Sequence, residues 1–241
     1  MKKLIITSIF FILTISINAQ NWFGKRIRGN GHVVTKVRET SEYNAISIGG
    51  SFDVVLVKGK EGKITIKGEE NIIDVIITEV KGGTLKVKFK NNVNIRITKR
   101  LTITIPFNEI EAISLGGSGN LKSEDVIKAD NIKLSLGGSG NIYAIVNANN
   151  VKSSIGGSGN IKISGTTDKF TCSIAGSGSI KAYGLQANTI NAKIAGSGSI
   201  KTTVKNKIKA KVVGSGSIYY KGNPKYIDSK SIGSGDVIDR N

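Results

Sequence analysis

The sequence predicts an all-β chain whose main body is a parallel β-helix, a single-chain solenoid with coils of about 19 residues. Three observations carry this. Gly-Ser-Gly recurs seven times, with its serine at Ser118, Ser139, Ser158, Ser177, Ser197, Ser215 and Ser234. Steps between the serines are 21, 19, 19, 20, 18 and 19 residues, and slips of one or two residues are what loops between coils absorb. Around each tag, apolar residues stand at fixed offsets with period-two alternation, as in Asn131-Ile132-Lys133-Leu134-Ser135-Leu136, the signature of a half-buried strand.

Three residues after the serines stand Leu121, Ile142, Ile161, Ile180, Ile200, Ile218 and Val237. Seven before, from the second tag on, stand Ile132, Val151, Phe170, Ile190, Ile208 and Ile227. Stacked coils lie about 4.8 Å apart, so these residues form ladders. A buried side chain of this kind contributes roughly 1.5–3 kcal/mol before entropy is subtracted. No single coil folds alone, and the stack is the folding unit. The tag glycines mark a sharp corner between strands. The tag serines can bond locally or to the next coil's serine. A nucleophile or phosphate site needs other spacings, and none of them is present.

Taken in order, residues 1–19 read as a secretory signal peptide. Lys2 and Lys3 precede an apolar stretch from Leu4 to Ile17, and Asn18-Ala19 offers a cleavage point. A spanning helix needs about 20 apolar residues, so a retained anchor fits less well, and no cysteine is placed for lipidation. Residues 20–42 form a basic lead-in carrying the single histidine, His32, read as a surface residue. From Tyr43, Ile46-Ser47-Ile48-Gly49-Gly50-Ser51-Phe52-Asp53-Val54 resembles a diverged tag. Strand-like runs follow at 54–58, 63–67, 72–78, 84–90, 94–98 and 101–105. Ser51 to Ser118 is 67 residues, room for about three coils. Residues 43–110 are therefore expected as irregular coils or a cap of the same solenoid, with a separate small β-sandwich as the alternative. Regular coils are expected over 111–241, ending in charged residues that discourage edge aggregation. Cys172 falls on a strand before the fourth tag and reads as a buried small residue.

Formal net charge is +18. Losing Lys2 and Lys3 with the signal leaves +16, spread over both halves. Such a surface attracts acidic polymers. For an exported protein these are acidic polysaccharide, lipopolysaccharide phosphate or another envelope surface component, not nucleic acid. Four residues after the tag serines stand Lys122, Tyr143, Lys162, Lys181, Lys201 and Tyr219. In register, they make an outer stripe beside an Asn/Ser ladder (Asn120, Asn141, Asn160, Ser179, Ser199, Ser217). Adjacent charges about 5 Å apart repel by roughly 0.8 kcal/mol in water. An extended anionic chain fits the stripe, and tyrosine faces stack on sugars.

Catalytic and metal patterns are not matched. Calcium-binding β-rolls repeat Gly-Gly-x-Gly-x-Asp every nine residues, whereas the first six tags here carry Asn or Ser, Asp236 alone matches, and the period is twice as long. Carbohydrate-cleaving β-helices need clustered carboxylates, whereas Asp125, Asp130 and Asp168 stand singly. No enzyme, cofactor or metal site is expected.

With the signal peptide, the Tyr43–Asp53 opening and the repeated Gly-Gly-Ser-Gly-Asn-Ile tags in view, the chain resembles the "putative auto-transporter adhesin, head GIN domain" family of Bacteroidetes-type envelopes, over roughly 43–227. The resemblance implies a right-handed, pectin-lyase-like β-helix without catalytic residues, and a role in adhesion. Combined, these readings describe an exported adhesion or glycan-binding module in the periplasm, at the cell surface or outside the cell. The alternatives are a scaffold self-associating through its coil ends and, less fittingly, a degenerate carbohydrate-active enzyme.

Overall fold

The computed structural model describes residues 25–241; the expected signal peptide and residues 20–24 lie outside the described residues. The N-terminal strands are β1 (Lys25–Arg28), β2 (Val33–Glu39), β3 (Ala45–Gly49), β4 (Asp53–Lys58) and β5 (Lys63–Glu69). A helical turn α1 (Glu70–Ile73) precedes β6 (Ile76–Lys81), β7 (Thr84–Phe89), β8 (Val93–Arg96) and β9 (Thr102–Phe107). The coils then run through β10 (Ala112–Gly117), β11 (Asn120–Gly138), β12 (Asn141–Gly157), β13 (Asn160–Gly176), β14 (Ser179–Gly196) and β15 (Ser199–Gly214). Three short strands follow: β16 (Ser217–Lys221), β17 (Tyr226–Ile232) and β18 (Val237–Asp239).

From β10 to β18 every neighbouring pair is parallel, so the body is a parallel β-helix. The expected ladders form. Leu121, Ile142, Ile161, Ile180, Ile200 and Ile218 lie in register and are fully buried. So do Ile132, Val151, Phe170, Ile190 and Ile208, with at most 3% exposure. Cys172 is buried in the column of Leu134, Ser153, Ala192 and Ala210.

The tag corner is the invariant part of each coil. In the tag Gly157-Ser158-Gly159, both the Ser158 and the Gly159 N–H donate to the Gly138 carbonyl of the coil before, at 3.0 Å each. The same double bond recurs from Gly117 to Ser139 and Gly140, and from Gly176 to Ser197 and Gly198. To place those donors, Gly157 adopts φ +133, where a Cβ would stand 2.5 Å from the Gly138 oxygen. The tag serine side chains are exposed; serine–serine bonds between coils occur beside the tags instead, Ser179 with Ser199 at 2.9 Å and Ser154 to Ser135 at 3.3 Å. Length slips never fall at the tag. They fall after Lys122, after Lys162, and between Ala182 and Thr189.

The 67 residues between Ser51 and Ser118 are not three stacked coils. Ile46 pairs directly with Ile113 and Val54 with Leu121. The intervening chain instead covers the outer end of that coil. Strands β7 and β9 stack beneath β3 and β4 in parallel. Antiparallel strands then close the edge, β6 on β7, β5 on β9 and β2 on β5. The lead-in is thus strand from Lys25, with β1 paired to β8. Core residues run continuously from Tyr43 to Tyr220. The strand expected at 72–78 begins as the turn α1, because Arg38 satisfies its end. Its guanidinium donates to the Ile73 and Ile76 carbonyls at 2.7 and 2.6 Å, and the turn buries Ile72 and Ile73. His32 is exposed, 3.4 Å from Glu70.

Glu69 is the buried charge of this end, 1% exposed. Burial pushes its carboxyl up, but bonds from the Thr98 hydroxyl and from the Thr98, Gly31 and Lys99 N–H groups outweigh that and bring it to about 2 from 4.5.

Two predictions follow from these corners. Gly157→Ala forces an L side chain into the glycine-only region and onto a carbonyl, at about 1–3 kcal/mol. Gly156→Ala changes stability by about 0.5 kcal/mol or less, since nothing lies within 4 Å and later coils carry Ala175 and Ala195 there. Urea midpoints of the two variants compare them directly. For Glu69 the folded pKa lies below the unfolded one, so its contribution is full above about pH 4.5 and fades toward pH 2. Thermal melts across that window should show the loss, and Glu69→Gln should flatten it while lowering stability at neutral pH.

Candidate functional site

The outer face beside the tag is built by the same register. Lys122 pairs with Tyr143, Tyr143 with Lys162, Lys162 with Lys181, Lys181 with Lys201, and Lys201 with Tyr219. Each sits one residue beyond a fully buried ladder position, so strand alternation turns it outward. Lys122, Tyr143, Lys162 and Lys181 are exposed, whereas Lys201 and Tyr219 are half-buried. The flanking column is a chain of side-chain bonds. Asn120 donates to Asp53, Asn141 to Asn120 and Asn160 to Asn141, at 2.9, 2.8 and 2.9 Å. Each middle amide donates and accepts at once, which fixes the face before any ligand arrives. Arg100 holds the other Asp53 oxygen at 2.9 Å.

The stripe is not uniform. Lys122 lies 3.7 Å from Glu124, a residue of the two-residue insert in its coil. Lys162 and Lys181 have no carboxylate partner among the described residues. At the C-terminal end the stripe widens into a cluster. The Tyr219 ring has Lys201 Nζ 5.9 Å and the Arg240 guanidinium 5.1 Å from its centre, and Lys221 Nζ lies 5.2 Å from the Tyr183 ring. Such contacts contribute about 0.5–1 kcal/mol each at exposed sites. Tyr183, Ser199, Lys201, Tyr219 and Arg240 surround a cavity of about 380 Å³. Burial raises the Tyr183 phenol above its ordinary pKa, Arg240 acts against this and Tyr219 with it, as three groups facing one space would.

Tyr183, Lys221 and Arg240 were not legible from tag offsets. Tyr183 lies where β13 and β14 lose register, Lys162 facing Lys181 but Ser164 facing Gly184. The one signal for it is the 20-residue step from Ser177 to Ser197. Arg240 reaches the cluster because its N–H bonds the Tyr220 carbonyl at 2.9 Å, one coil back.

The other polar places serve the fold. A larger cavity, about 810 Å³, lies by Tyr43, Lys58 and Glu61. Its groups tie loops together: Glu61 accepts from the Tyr43 and Asn108 N–H groups, and Lys58 donates to the Asn108 carbonyl. Asp130 and Asp168 each accept from an asparagine of the next coil, Asn149 and Asn188. Among the described residues no three His, Cys, Asp or Glu side chains come together to hold a metal. Burial pushes the Cys172 thiol well up, so it is no nucleophile. No described helix is long and apolar enough to cross a membrane.

Fold and surface together define a class: a β-solenoid that displays ladders of side chains on a rigid outer face, as repeat proteins that bind extended partners do. The chain belongs to the family described as "Putative auto-transporter adhesin, head GIN domain", which matches residues 42–224. It is similar to a putative adhesin from Bacteroides fragilis, at 27% identity and TM-score 0.85 over 89% of this chain and 100% of that one. A putative lipid binding protein from Parabacteroides distasonis is 30% identical, with TM-score 0.77 over 90% and 100%. A putative adhesin from Parabacteroides merdae is 25% identical, with TM-score 0.70 over 90% and 100%. No curated protein matches. The family and these relatives carry adhesin or binding names, not enzyme names.

Proposed function

We propose that this is an exported, non-catalytic adhesion module that binds acidic glycan at the bacterial envelope through its outer basic and aromatic face. The observation that carries the reading is the in-register column from Lys122 to Tyr219 on a face pre-set by the Asn ladder. The adhesin names of the family and of its solved relatives support it. Coils at strand spacing present a lysine or tyrosine about every 4.8 Å, a repeat that a polymer of charged sugars can follow. No step of chemistry is needed, because the face holds no paired acid and base.

The test is binding of purified 20–241 to an array of neutral and acidic glycans at low and near-physiological salt. Defined acidic glycans should be retained at the higher salt. Binding to every polyanion alike, lost as salt rises, would reduce the face to unspecific electrostatics. Replacing Lys162, Lys181 and Lys201 by Ser removes three exposed contacts of about 0.5 kcal/mol each, so affinity for a bound polyanion should drop by roughly tenfold. Unchanged affinity would sink the stripe.

A second reading, self-association through coil ends, draws on β17. All seven of its residues are exposed, including Tyr226, Ile227 and Ile232. Two copies paired antiparallel about Ser229 would set Asp228 against Lys230 twice. Sedimentation across a concentration series should then show a dimer that Asp228→Lys abolishes; a monomer throughout excludes it.

A further inference from the structure

We propose that the cavity at the C-terminal end of the stripe, between Tyr183, Ser199, Lys201, Tyr219 and Arg240, is a discrete site for one acidic sugar unit, a pyranose bearing a carboxylate or sulfate. This rests on the glycan reading of the outer face and narrows it. Most of the stripe is an exposed ladder without depth. At this end aromatic and cationic side chains line an open space of about 380 Å³, within the usual range of small-ligand pockets.

Its lining matches that ligand group by group. Tyr183 and Tyr219 supply two ring faces for the C–H face of a pyranose. Arg240 and Lys201 supply the charge, and neither is paired with a carboxylate among the described residues. The Arg240 fork suits a planar carboxylate or a sulfate edge. Tyr219 has Arg240 5.1 Å and Lys201 5.9 Å from its ring centre, so aromatic surface and charge are offered side by side. The Ser199 hydroxyl, bonded to Ser179 at 2.9 Å, keeps a further lone pair for a sugar hydroxyl. No acidic side chain lines the space.

The site is also built in advance. Tyr183 is the extra residue of the longest coil among those of β12 to β15, and Thr203 in the next coil donates to its carbonyl at 2.9 Å. The neighbouring coils place no aromatic ring at this bulge: the β12 and β13 coils before it pass with Ala144 and Ile163, both turned into the core, and the β15 coil after it with buried Thr202. An added aromatic pinned from the neighbouring coil and turned outward serves no ladder, and its position beside Tyr219 and Arg240 is what gives the cavity its wall.

Calorimetric titration of purified 20–241 with galacturonate, galactose 6-sulfate, galactose and inorganic sulfate tests this. One acidic sugar should bind per chain, with galactose and inorganic sulfate each at least about tenfold weaker. Tyr183→Ala and Arg240→Ala should each weaken the acidic sugar by about tenfold with an unchanged melting temperature. Lys128→Ser, exposed and outside both the stripe and the cavity, should leave it unaltered. Equal binding of galactose, equal binding of sulfate alone, or no effect of Tyr183→Ala and Arg240→Ala would overturn the proposal. Polymer binding that depends on Lys162 and Lys181 while no monosaccharide binds would overturn the pocket and leave the broader glycan reading standing. Loss of both would remove the two together.

Discussion

A single carbonyl oxygen per coil sets the terms for the rest of the molecule. At five of the seven tags it receives two N–H groups from the coil above, and at the first and last tags one, which satisfies backbone donors that a sharp corner would otherwise bury unpaired. The cost is steric. The chain must pass so close that the residue above can carry no Cβ, and its φ lies where only glycine is at ease. Everything else is allowed to vary around that point. Residues just before it can be Gly, Ala or Val, as at Gly156, Ala175 and Val213. Coils lengthen or shorten only later in the turn, at the irregularities after Lys122, Lys162 and Ala182.

This explains what was legible in the sequence. Ile161 and Ile180 could be stacked from tag spacing alone, because the tag is the one place where register never slips. The Lys122-to-Tyr219 column followed, since it lies within four residues of that fixed point. Tyr183 did not, because it lies in the part of the coil that slips, where counting from the tag loses its meaning. Between coils and a cap at the N-terminal end, counting could not choose, for a related reason. Counting 67 residues as coils assumes that the chain stacks in the order in which it is written, and between Asp53 and Ala112 it does not. Nor could period and propensity reveal that Arg38 would cap a helical turn inside an expected strand. That bond joins residues 35 apart in sequence.

Glu69 and Asp53 show two uses of an acid at that end. Glu69 is enclosed and bonded on every side to loop N–H groups and a hydroxyl, so its charge organises the loops around it. Asp53 starts the asparagine chain on the outer face. It heads that column, and each amide after it inherits an orientation from the one before. The outer face and the cap therefore share a strand boundary, the start of β4, and a change there is felt in both.

The order of stacking at the N-terminal end has a mechanical meaning. Adhesive proteins carry tension, and in this fold the backbone hydrogen bonds run along the solenoid axis, so an axial pull loads the coils in series. At the far end, β17 and β18 are each held by one parallel ladder, to β15 and β16, and can peel strand by strand. At the near end β3 is clamped between β7 and β10, and β4 between β9 and β11. An outward pull there first peels β2 from β5 and β6 from β7, single antiparallel ladders. It then meets β3 and β4, where β7 and β9, later in the chain, lie outside them and two ladders must break at once.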